Sequence, residues 1–213
     1  MIFDLDLLVG TAMGLNLVAL GTGRLPTIIR AMSLQGVLLG VMPLMLEHDL
    51  DGRVVLVAVA TMAGKGVLIP LLLRRATRAA HVERERDPYL GFVPSLLVGA
   101  GCAVSAVAAA RALPLLPEHA GSLLVPGAIA TVLTGFVLLV GRTKAVSQVC
   151  GFLILENGIY LFGLLLIEAM PLLVEAGVLL DLTVGVFVLG IVVDRIQRAF
   201  DSLDTRRLTT VRE

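Results

Sequence analysis

Four ionisable side chains interrupt long apolar stretches of this chain: Lys65, Glu156, Glu175 and Asp181. A charge near the centre of a bilayer costs roughly 2.5–3.5 kcal/mol. Four together cost on the order of 10 kcal/mol, as much as the whole stability of an ordinary domain. Such a penalty persists only where the charges are paired, neutralised or useful. Desolvation disfavours the charged form of acids and bases alike, so groups of both kinds held out of water can trade protons near neutral pH. The neighbours suit that chemistry. Lys65 sits between Gly64 and Gly66, which clears space around it. Glu156 is followed by Asn157 and Tyr160, two groups able to hydrogen-bond a carboxylate or carry a water chain. Asp181 has Gly177 and Gly185 four residues before and after it, on the same helical face.

Depth sharpens the pattern. At about 1.5 Å of rise per residue, Lys65, Glu156 and Asp181 each fall within roughly 5 Å of the middle of their apolar run. Glu175 lies about 9 Å further toward one surface than Asp181, and reads most simply as an interfacial glutamate. Charges at one level fit a lateral proton path. The plainer alternative is a static ion pair, Lys65 with Glu156 or Asp181, that fixes helix register.

These residues need elements that hold them in lipid, and composition supplies them. Hydrophobic residues make up 57% of the chain and charged ones 16%, against averages of roughly 45–50% and about 25% in soluble proteins. Lipid accepts the apolar surface that water would refuse. Zero formal net charge gives no reason to expect a nucleic-acid partner. Crossing a hydrocarbon core takes about 20 apolar residues. Seven stretches qualify: Leu5 to Thr22, Leu25 to Leu46, Val54 to Leu73, Tyr89 to Ala110, Leu123 to Val140, Ser147 to Ile167 and Pro171 to Val193. The second is the weakest, because it carries Arg30 and Gln35. Pro43, Pro94 and Pro126 fall near span ends, where a missing N–H matters least.

The expected fold is all-α and membrane-integral, with residues 1–194 forming a seven-helix domain and 195–213 a cytoplasmic tail. Arginines set the orientation. Arg24, Arg30, Arg74, Arg75, Arg78, Arg84, Arg86, Arg142, Lys144 and the tail arginines share one side, whereas the other holds only Arg53 and Arg111 among acids. The N-terminus is therefore expected outside and the tail inside. The acidic start, without a basic n-region, reads as a first span and not as a cleaved signal. The tail has an amphipathic look around Ile196, Ala199, Phe200 and Leu203.

A loose internal echo links Gly10-Thr11-Ala12, Gly23-Arg24 and Gly36 with Gly127-Ala128, Gly141-Arg142 and Gly151. Gly99, Ala103, Ala106 and Ala110 give the fourth span a small face for close packing. Cys102 and Cys150 read as small core residues. His48, His81 and His119 fall in loops on different sides, so no metal or haem site is expected, and neither a phosphate loop nor a catalytic nucleophile is recognisable.

The run Gly151-Phe152-Leu153-Ile154-Leu155-Glu156-Asn157-Gly158-Ile159-Tyr160-Leu161, followed by Asp181-Leu182-Thr183-Val184-Gly185-Val186-Phe187-Val188, resembles hydrogenase-4 component E, the membrane subunit of formate hydrogenlyase-type complexes akin to the K subunit of respiratory complex I. The match is concentrated in the last three spans. The resemblance implies a non-catalytic subunit in the prokaryotic cytoplasmic membrane, beside antiporter-like and H-subunit-like proteins of a group 4 [NiFe] hydrogenase. Metal centres would lie in other subunits, with no cofactor in this chain. It also implies that Glu156 and Asp181 stand where the K subunit has key glutamates. Aspartate at a shorter spacing departs from that pattern, and Glu175 is a rival for the second position. The resulting expectation is a proton or cation path through Lys65, Glu156 and Asp181, with Asn157 and Tyr160 beside it. A structural scaffold subunit is the alternative.

Overall fold

The computed structural model describes residues 2–46, 52–79, 84–85, 87–114 and 121–165, and within the last apolar stretch residues 176–177, 179–180, 183, 185–187 and 190. Asp181, Glu175, the three histidines and the tail 195–213 lie outside the described residues.

The described elements are helices in an up-and-down order: α1 (Ile2–Gly21), α2 (Leu25–Leu46), α3 (Gly52–Thr61), a π-helical segment (Met62–Leu68), α4 (Ile69–Ala79), α5 (Phe92–Ala112), α6 (Leu124–Gly141) and α7 (Ala145–Leu164). α3, the π segment and α4 join without a break, and the apolar rod they form runs Gly52–Arg78. That is longer than the expected Val54 to Leu73 and is not α-helical throughout. Among the described residues, five rods are long and apolar enough to cross a membrane: Leu25–Leu46, Gly52–Arg78, Phe92–Ala112, Leu124–Gly141 and Ala145–Leu164. The apolar part of α1, Leu5–Gly21, is somewhat shorter. The described positions between 176 and 190 are helical, and Gly185 lies against Ile69 and Leu153.

Prolines behave as their chemistry requires. Pro94 and Pro126 stand in the first turns of α5 and α6, where backbone N–H groups have no intrahelical acceptor. Pro43 is three residues from the end of α2.

α6 and α7 make the closest pair. A Cβ on Gly135 would stand 2.5 Å from the Leu155 backbone nitrogen, and one on Gly158 would stand 2.5 Å from that of Val132. Glycine is therefore required for the backbones to approach this closely. α5 is the outlier. It buries only the stripe Ser95, Gly99, Ala106 and Ala110 against α1 and α6; of the small-residue face expected from sequence, Gly99, Ala106 and Ala110 are buried and Ala103 is half-buried. Its other side, with Leu97 and Val104 about 70% exposed, suits a lipid-facing position.

One loop fastens two hairpins. α1–α2 and α6–α7 each turn in three residues, 22–24 and 142–144, which gives the internal echo a structural counterpart. Between them lies the segment 84–90. The Glu85 N–H donates to the Gly23 carbonyl at 2.8 Å, within an isolated antiparallel bridge between Arg24 and Arg84. The Leu90 N–H donates to the Gly141 carbonyl at 3.1 Å. The buried Glu85 carboxylate accepts the N–H groups of Thr143 and Lys144, both at 3.0 Å, and the hydroxyls of Thr143 and Ser147. This is an N-cap supplied from about 60 residues away, and it satisfies donors at the start of α7 that the helix itself leaves open. Burial pushes the Glu85 carboxyl up, but the bonds from Ser147, Thr143 and Lys144 outweigh it and hold the group below its ordinary value.

Arg142 departs from the solvated topology charge that the sequence suggests. It is 1% exposed, donates from Nη2 to the Leu20 carbonyl at 2.6 Å, and stacks 4.7 Å from the Phe92 ring centroid. Burial lowers its pKa and the Glu85 charge opposes that shift. At the other end of the bundle, Asp6 Oδ1 accepts the Leu123 N–H at 2.7 Å and caps α6.

The apolar interior falls into two clusters. One gathers Leu20, Leu25, Ile28, Met32, Leu138 and Ile154 near the fastened turns. The other gathers Val9, Leu39, Val57, Leu124, Ala128 and Leu161 toward the opposite end.

Candidate functional site

Between those clusters lies a polar layer. On α1, Asn16 falls between Val9 and Leu20; on α2, Gln35 falls between Met32 and Leu39; on the third rod, Lys65 falls between Val57 and Ile69. On α6, Thr131 lies between Ala128 and Leu138, and on α7, Glu156 and Asn157 lie between Ile154 and Tyr160. All six are at least 95% buried. Five of them carry an amide or a charge, and burying such a group without a partner costs several kcal/mol. The layer therefore has to be internally satisfied.

Five of its members are joined by a chain of hydrogen bonds. The Lys65 ammonium donates to Asn157 Oδ1 at 3.4 Å. Asn157 Nδ2 donates to Gln35 Oε1 at 3.4 Å. Gln35 Nε2 donates to Asn16 Oδ1 at 2.7 Å and to the Ala12 carbonyl at 2.9 Å. Asn16 Nδ2 then donates to Thr131 Oγ1 at 2.9 Å. The ammonium also stands 5.5 Å from the centroid of the Tyr160 ring, whose face attracts a cation. Lys65, Glu156 and Tyr160 each have interactions beyond these.

Local sequence explains why Lys65 can reach this layer. Its backbone belongs to the π segment, a wider turn that occurs mostly as a short interruption of α-helices and often at functional positions. Pro70, the second residue of α4, has no N–H to offer to the Gly66 carbonyl four residues before it, which leaves the preceding turn short of a donor. The Ser33 hydroxyl donates to the Gly66 carbonyl at 2.5 Å and fills that need. Gly36 permits the approach: a Cβ there would stand 2.6 Å from the Lys65 carbonyl carbon. On α7, Glu156 and Tyr160 are four residues apart and share a face, with Asn157 beside them.

Of the site residues expected from sequence, Lys65, Glu156, Asn157 and Tyr160 are buried in one region, and Lys65 is in contact with Asn157 and Tyr160. Asp181 and Glu175 lie outside the described residues. Sequence reasoning missed Asn16, Thr131, the carbonyl of Ala12 and the role of Gln35, which registered only as a weakness of its span. The signal was available, because an amide in mid-span carries the same burial cost that singled out the charges. Cys150 belongs to the apolar core near the turns. Among the described residues no group of three His, Cys, Asp or Glu side chains could hold a metal ion.

A stack of apolar helices enclosing a buried polar layer defines a multi-pass helical membrane protein. Within that class, the chain belongs to the same family as Uncharacterized protein Rv0085 of Mycobacterium tuberculosis; the two are 35% identical over 191 residues, 89% of this chain and 87% of that protein. No family model matches the chain. No solved structure matches it either.

Proposed function

We propose that this protein is a non-catalytic membrane-arm subunit of a redox-driven complex that translocates protons or another cation, of the hydrogenase-4 or formate hydrogenlyase type. It crosses the prokaryotic cytoplasmic membrane seven times, with its N-terminus outside and its tail in the cytoplasm. Glu156 and Asp181 act as the carrier carboxylates, with Glu175 as the rival for the second place, and Lys65 biases their affinity for protons. Asn157 and Tyr160 line the path. Antiporter-like and H-subunit-like neighbours continue it, and the metal centres belong to other subunits.

The observation that carries this reading is the buried layer between two apolar clusters, in which a lysine on a π-helical turn faces the side of α7 that bears Asn157 and Tyr160. A polar layer spread over five rods is costly in lipid, and its level suits lateral movement of charge. Two measurements test the reading. Purification of the tagged chain in mild detergent is expected to bring down antiporter-like and nickel–iron subunits. In that complex, Glu156→Gln is expected to leave assembly intact and to lower the number of protons moved per electron. Full proton stoichiometry in Glu156→Gln and Lys65→Met complexes would remove the conducting role and leave a scaffold.

A further inference from the structure

The amides of the polar layer all point the same way, and a backbone atom determines that direction. A peptide carbonyl only accepts hydrogen bonds, so the Ala12 oxygen obliges Gln35 to present Nε2 to it. Gln35 Oε1 must then face α7, where only a donor suits it, and Asn157 answers with Nδ2. The Asn157 oxygen is thereby left toward the third rod, 3.4 Å from the Lys65 ammonium. On the far side Asn16 repeats the logic, taking Gln35 Nε2 on its oxygen and donating to Thr131. From the geometry we infer that Gln35 and Asn16 are positioning residues for Lys65: held by the Ala12 carbonyl, they fix the flip state of Asn157 so that an acceptor always faces the ammonium.

The distances follow the same order. The bonds at the α1 end are 2.7–2.9 Å, whereas those on either side of Asn157 are 3.4 Å. The chain is anchored at α1 and α6 and loosest where it meets the lysine. The inference uses the proposed function only in treating Lys65 as a working group.

Lys65 and Lys144 are the chain's two lysines, which makes the ammonium directly observable. The full chain, with the partners it retains, would be labelled with 13Cε-lysine in lipid nanodiscs, and Lys144→Arg would assign the remaining resonance to Lys65. Gln35→Met keeps length and removes both the donor and the acceptor of the amide; it is expected to move the Lys65 resonance by more than its linewidth. Leu34→Ala, at an exposed position of α2, is expected to leave that resonance in place. Gln35→Glu gives the diagnostic result. A protonated carboxyl can donate to Ala12 and accept from Asn157, whereas an ionised one has no donor. The Lys65 resonance should therefore approach wild type at low pH and move away from it at higher pH, in a step additional to any that the Glu156 carboxyl gives in wild type. If Gln35→Met does not accumulate, the Gln35→Glu step decides.

A resonance unmoved in Gln35→Met, or a Gln35→Glu protein with no additional step, overturns the inference. Proton translocation measured on the same samples separates the two proposals. A displaced resonance with undiminished translocation keeps the positioning role and removes Lys65 from the path. Lost translocation with an unmoved resonance does the reverse.

Discussion

Two buried polar regions of this protein solve the same problem in different ways. At the fastened turns, one carboxylate receives four donors from a single short stretch of chain, Thr143 to Ser147. In mid-bundle, one ammonium meets its amide acceptor at 3.4 Å and the flat face of a tyrosine at 5.5 Å, and the bonds tighten only two residues further along the chain. A charge whose ligands are complete and close is fixed in place. A charge at the end of a chain of oriented side-chain dipoles is held by a network that spans several helices. The first arrangement suits an architectural joint, and the second suits a group that has to respond.

Substitutions can break or sharpen this contrast. The largest effect is expected at the joint: Glu85→Ala removes four hydrogen bonds and strands the buried Ser147 hydroxyl, and thermal or denaturant unfolding in detergent should show a loss of about 3 kcal/mol. Gln35→Met interrupts the amide chain and should cost about 1–2 kcal/mol in the same assay. Acid should distinguish the two regions more gently. Because the folded Glu85 carboxyl titrates below its ordinary value, its stabilisation is complete above about pH 5 and is lost as pH falls through the folded value. Stability profiles should therefore drop on the acid side in wild type and less so in Glu85→Gln. Lys65→Met should cost about 1–2 kcal/mol, comparable to Gln35→Met, because it leaves the buried Asn157 Oδ1 without its donor. A Lys65→Met protein that unfolds as readily as Glu85→Ala would erase the distinction.

Sequence conveyed the fold well where lipid does the selecting. The ends of α2 coincide with the expected Leu25 to Leu46, and the buried side of α5 is the stripe of Gly99, Ala106 and Ala110. Lys65, Glu156, Asn157 and Tyr160 were recognisable because charges in apolar runs are conspicuous. What escaped were features defined by partnership. Glu85 reads as one of several charges in a loop until Thr143 and Ser147 are folded beneath it. Arg142 reads as a surface cation until Phe92 and the Leu20 carbonyl enclose it. The π turn at Lys65 depends on Pro70 withholding a donor and on Ser33 supplying one from another helix, and no local periodicity encodes that trade.

The separation between Glu85 and its ligands also has a consequence in time. Residues 143–147 follow it by 58 to 62 positions, which at roughly 5–20 residues per second of synthesis is a wait of about 3–12 s. During that interval the nascent chain has inserted its early helices, yet the clasp that will hold both hairpins has nothing to grip. The order of biogenesis is thus written into the loop: the α1–α2 turn can be bridged early, whereas closure over the α6–α7 turn must await the ribosome.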